Sequence, residues 1–114
     1  MSENASDAAS QRSARRQKAL LPAVIASLDG QTSFDCVIKD LSAAGAKLTI
    51  PKSAKPAGLF FFINVRDRLA HRASIVWQSE NSIGLRYHDT LSLSTGLDPS
   101  LHFLNRLWLQ RAVR

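Results

Sequence analysis

The sequence predicts an all-β protein of six strands followed by one C-terminal helix. Three observations carry that expectation. Apolar residues fall in short runs of strand length separated by turn residues. Several runs alternate apolar with polar residues, the period of a half-buried strand. Only the last segment, from Asp98 on, repeats at the three- and four-residue intervals of a helix. This spacing suits a barrel or sandwich better than alternating βαβ units. The 114 residues, 45% apolar and 21% charged, fit one core and exclude a chain disordered throughout.

Residues 1–11 are mostly Ser, Ala, Asn, Asp and Glu, too polar to offset the entropy of ordering, so they read as a disordered tail. Ala19 to Leu28 is the first strand, closed by the turn dipeptide Asp29-Gly30. Phe34 to Asp40 is the second, with Phe34, Cys36 and Ile38 on one face. Ala46, Leu48 and Ile50 alternate with Lys47 and Thr49 in the third, which Pro51 and a loop end. Leu59 to Val65, Leu69 to Gln78 and Ile83 to Tyr87 complete the six. In the fourth, Phe60 and Phe62 point opposite to Leu59, Phe61 and Ile63, so a second apolar face needs a cover. The helix is the candidate. Asp98 caps it, Pro99 takes its first position, and Leu101, Leu104, Leu107 and Trp108 form one stripe. The stripe is expected to dock on the barrel or on a second subunit, which leaves the chain a monomer or a homodimer.

Charge and composition narrow the class. The formal charge of +6 divides into an excess of two cations in each of residues 1–18, 19–96 and 97–114. Anions accompany the cations in every part, which disfavours a nucleic-acid track. The one concentrated stretch is Arg12 to Lys18, where Arg12, Arg15, Arg16 and Lys18 stand without an acidic residue. Cys36 is alone, so no intrachain disulfide forms and a reducing compartment is expected. No apolar run approaches a membrane span, and the N-terminus lacks the basic start and apolar centre of a signal peptide, so a cytoplasmic protein is expected. His71, His88 and His102 are far apart with no Cys or carboxylate at ligand spacing, and no metal site is expected. No G-x-S-x-G, P-loop or G-x-G-x-x-G is present, and no carboxylate pair is placed for acid–base work. The chain reads as a non-enzyme. Cys36, facing with Phe34 and Ile38, reads as a buried inert thiol, and Trp77 and Trp108 as core or helix-docking residues.

Two short patterns remain: Arg12-Ser-Ala-Arg-Arg16, an R-x-x-x-R, and Asp40-Leu-Ser-Ala-Ala-Gly45, a D-x-S-x-x-G. Pro22 follows Arg16 by six residues, a strand pair separates the motifs, and the hairpin Ala73-Ser-Ile-Val-Trp77 with Ile83-Gly-Leu-Arg-Tyr87 comes after. In this order they resemble the PilZ domain over about residues 12–90. The resemblance implies a six-stranded antiparallel β-barrel, in agreement with the strands read above; the barrel with its Arg-rich arm is assigned to residues 12–96 and the helix, read from its own periodicity, to 97–114. The resemblance also implies a receptor for the bacterial second messenger cyclic di-GMP, whose R-x-x-x-R arm wraps the ligand beside D-x-S-x-x-G. Arg12, Arg16, Asp40, Ser42 and Gly45 are then the ligand set, and Arg15 is added from charge alone.

The residue types suit that ligand. An Arg fork matches the O6 and N7 acceptors of guanine bidentately, and can also stack on the base or pair with a phosphate. A carboxylate such as Asp40 accepts from the guanine N1–H and N2–H donors. Ser42 can bond a base or phosphate, and Gly45 supplies positive φ or a close backbone approach. No cofactor is called for, and a downstream protein partner is expected. The resemblance associates such a receptor with motility, biofilm and exopolysaccharide control. Two other readings stand beside it. One is a small basic β-barrel that binds single-stranded nucleic acid. The other is a PilZ-like adaptor that no longer binds the nucleotide and uses Phe60, Phe62 or the Trp108 stripe as its interface.

Overall fold

Residues 23–26 and 60–63 are apolar without alternation, a pattern that marks strands buried on both faces. The computed structural model describes residues 17–112 and places these two segments side by side. The strands are β1 (Gln17–Ala26), β2 (Ser33–Leu41), β3 (Gly45–Thr49), β4 (Phe60–Asn64), β5 (Leu69–Gln78) and β6 (Ser82–Ser92). All neighbours are antiparallel, and the order β1, β2, β3, β6, β5, β4 closes into a barrel. Among the described residues every strand has a neighbour on each side, while the Gln17 to Pro22 stretch of β1 pairs with β2 alone.

Inward side chains such as Ile25, Ile38, Leu48, Phe62 and Ile83 fill the barrel. A second core lies outside it, where Val24 and Ala26 of β1 and Phe61 and Ile63 of β4 meet Leu104. That residue belongs to α1 (His102–Ala112), which follows a 3-10 turn over Pro99–Leu101. Asp98 caps the turn, accepting from the Ser100 amide at 2.9 Å and its hydroxyl at 2.7 Å, and these bonds hold its carboxyl below the usual range. The capped start expected at Asp98-Pro99 is therefore present, but one 3-10 turn precedes the α-helix.

The expectation that Phe60 and Phe62 form the face needing a cover is reversed. They are 3% and 0% exposed inside the barrel, and the helix covers Phe61 and Ile63 instead. Register is the reason: Phe62 pairs with Ile25 on one side and with His71 on the other, all inward. An interface built from Phe60 or Phe62 is thereby excluded. Trp108 does dock as expected, donating its indole N–H to the Val65 carbonyl at 2.9 Å beneath the Arg68 guanidinium. Arg111, 2.7 Å from Asp35, ties α1 to β2. Cys36 lies in the interior, where burial pushes its thiol up to about 12, in keeping with an inert role.

Four register shifts shape the end of the barrel that matters for function, the first on β1 between Lys18 and Leu21 opposite Lys39. Each leaves one residue on a strand unmatched and turns its neighbours. Lys39 is extra on β2, between the pairs Ile38 with Leu48 and Asp40 with Lys47. Val76 is extra on β5, between Ile75 with Leu85 and Trp77 with Gly84, and His88 is extra on β6.

Candidate ligand-binding site

The β2–β3 turn is built around Ser42. Its hydroxyl donates to the Gly45 carbonyl at 3.2 Å and accepts from the amides of Ala44 and Gly45, both at 3.3 Å. The Ser42 amide adds a bond to the Gly45 carbonyl, and the Tyr87 amide donates to Ala44, fastening the turn to β6. Ser42 thus works as a turn residue within the protein. Gly45 serves close approach rather than positive φ: a Cβ there would run into the Leu85 carbonyl oxygen of the adjoining strand.

Beside this turn lies an open cavity of about 360 Å³, bordered by Asp40, Ser42, Gly45, Lys47, Trp77 and Arg86. Asp40 is 5% exposed at its inner wall. Lys47 and Arg86 are exposed cations at its rim. Trp77, expected in the core or under the helix, is 44% exposed instead. The Val76 bulge breaks the alternation and sets the indole flat on Gly84, where any Cβ would collide with the ring. The Lys47 ammonium stands 6.0 Å from the ring centroid. An acceptor, two cations and an open aromatic face converge here, a set suited to a base carrying phosphate.

Asp40, Ser42 and Gly45 are therefore brought together as the sequence expects, while Arg12, Arg15 and Arg16 lie outside the described residues. The chain enters β1 at this rim, because Gln17 pairs with Leu41 and Lys18 with Asp40. Lys47, Trp77, Gly84 and Arg86 also line the cavity and were not singled out as candidates from the sequence. Only Gly84 carried a signal, as a glycine within an apolar strand. Among the described residues no three His, Cys, Asp or Glu side chains are grouped as a metal ion requires, and no helix is long and apolar enough to cross a membrane.

A closed six-stranded antiparallel barrel with one helix packed outside and a cavity lined by Asp40, Lys47 and Arg86 at one mouth defines a small β-barrel domain. The family model for the PilZ domain matches residues 10–97, and the chain belongs to that family. PilZ domains are generally non-catalytic receptors for cyclic di-GMP. Among solved structures, the PilZ domain of CeSA from a cellulose-synthesizing bacterium is similar at 22% identity. The match covers 84% of this chain and 96% of that one, with a TM-score of 0.56. An uncharacterised Legionella protein matches at 19% identity over 83% of this chain and 87% of its own, with a TM-score of 0.46. No curated protein matches the chain.

Proposed function

We propose that the chain is a non-catalytic cytoplasmic receptor for cyclic di-GMP that passes the signal to a protein partner. The observation that carries the reading is the start of β1. Lys18 pairs with Asp40, so the R-x-x-x-R motif ends two residues upstream of the cavity wall. Arg12 and Arg16 supply guanidinium forks to the guanine O6 and N7 or to phosphate, and Arg15 adds a third cation. Asp40 accepts from a guanine edge. Ser42 and Gly45 act chiefly by shaping the turn that holds Asp40 at the cavity, and Trp77 offers a face on which a base stacks.

Ordering several arm residues costs on the order of 1–2 kcal/mol each, against about 1–3 kcal/mol gained per bidentate Arg–guanine contact. The balance gives signalling-range affinity near micromolar, about −8 kcal/mol. The partner and output are those of a second-messenger adaptor. Exopolysaccharide synthesis is a candidate output, since the CeSA domain comes from a cellulose-synthesizing organism. Calorimetry on the full chain and on Arg16→Ala and Asp40→Ala variants tests the reading. Wild type should release saturable heat, and each variant should lose it with an unchanged circular dichroism spectrum. Binding that survives both substitutions would refute the assignment.

A further inference from the structure

A second cavity opens at the other end of the barrel. β1 begins opposite Asp40 and ends with Ala26 opposite Ser33 and Phe61, so the mouth formed by Ile25, Phe34 and Phe60 lies a barrel length from the first cavity. Its volume is about 420 Å³, within the range of small-molecule sites. Its floor is apolar: Ile25 and Phe60 belong to the barrel core, and Phe34 packs against it.

Both walls are set by local structure. On one side, the Ser27 hydroxyl donates to Asp29 at 2.7 Å and accepts from the Thr32 amide at 3.1 Å, while Gly30 adopts φ +75°. On the other side runs the β3–β4 connection, which carries Lys55, Pro56, Ala57 and Leu59 along the cavity, with Gly58 at φ +64°. Lys55 is the one charged residue on the lining, and it is exposed with no ion pair to any described residue. Leu59, 45% exposed, extends the apolar wall outward beside it.

A cavity apolar along Phe34, Pro56, Ala57 and Leu59, with the Ser27 and Thr32 hydroxyls on the opposite wall and Lys55 as its lining cation, complements a molecule with an apolar body and one anionic head. We propose that this cavity is a second ligand site, for a small aliphatic carboxylate whose chain lies along the accessible faces of Phe34, Ala57 and Leu59 and whose head pairs with Lys55. The pit is closed below by the barrel core, so the aliphatic chain is short. The site is independent of the nucleotide reading, since the two cavities share no residue.

Octanoate is the probe, titrated into the full chain and followed by amide NMR. Saturable shifts confined to residues 25–34 and 55–60, with a dissociation constant below about 1 mM, are the expected result. Lys55→Glu, an exposed loop change, should weaken octanoate at least fivefold and favour octylammonium over octanoate. Ala57→Trp, which plugs the rim, should abolish the shifts. The proposal is overturned by absence of saturable shifts, or by octanoate affinity that Lys55→Glu leaves unchanged. It is equally overturned if a peptide ending in a free leucine carboxylate gives these shifts while octanoate does not, which would make the cavity a peptide-docking surface.

Discussion

Gly45 and Gly84 both lie along the cavity beside Asp40, and a methyl group at each would meet a different obstacle. At Gly45 it meets the Leu85 carbonyl, backbone that cannot swing aside, so Gly45→Ala should destabilise the barrel by about 1–3 kcal/mol in urea titrations. At Gly84 it meets the Trp77 indole, an exposed side chain that can rotate into solvent. Gly84→Ala should therefore leave the urea midpoint nearly unchanged yet weaken cyclic di-GMP by roughly 1–3 kcal/mol, the worth of a lost stacking platform, read by calorimetry. The same contrast explains what could be seen in the sequence. Asp40, Ser42 and Gly45 sit within six residues and form one local turn, so their spacing displays them. Lys47, Trp77 and Arg86 come from β3, β5 and β6, and the single unmatched residue Val76 decides which way Trp77 points. Strict alternation cannot reveal a bulge, and so it puts that tryptophan in the core.

The helix and the two strands beneath it form a unit separate from the cavity. Its stripe was legible because period 3.6 differs sharply from the strand period around it, and Leu104, Leu107 and Trp108 do face the barrel. Which parity of β4 the stripe covers was not legible, since Phe60 to Ile63 are apolar on both sides and either assignment satisfies burial. Pairing with β1 and β5 settles it. Leu104 is fully buried, so Leu104→Ala should cost about 2–5 kcal/mol in urea unfolding. Trp108→Ala removes both the indole bond to Val65 and the Arg68 contact and should destabilise as well. Because neither residue borders the Asp40 cavity, both variants, studied below their unfolding midpoint, should keep wild-type cyclic di-GMP affinity within about twofold.

Considered as one folding unit, the chain carries a buried titration. His71 stacks on Tyr87 with centroids 3.8 Å apart, Thr90 Oγ1 lies 2.8 Å from its Nδ1, and burial lowers its pKa from 6.5 to about 4 against the opposing charge of Asp67. The unfolded chain therefore takes up this proton first as pH falls. Stability from this group is complete above pH 6.5, is lost by about 1 kcal/mol per pH unit down to about pH 4, and is level below that. Denaturation midpoints across this window should show the slope, and His71→Phe, which keeps an aromatic ring against Tyr87, should flatten it. Charge sums mislead in the same way that alternation does: +6 suggests a polyanion binder. By position it is a nearly balanced barrel with one cationic run, Arg12 to Lys18, whose last residue pairs with Asp40. The most direct test of that arrangement is an amide NMR titration of the full chain with cyclic di-GMP. Saturable shifts should centre on residues 40–47, the Trp77 indole and residues 84–86, with Phe34, Phe60 and the helix unmoved. No saturable shift at tens of micromolar ligand, or a footprint away from Asp40, would contradict it.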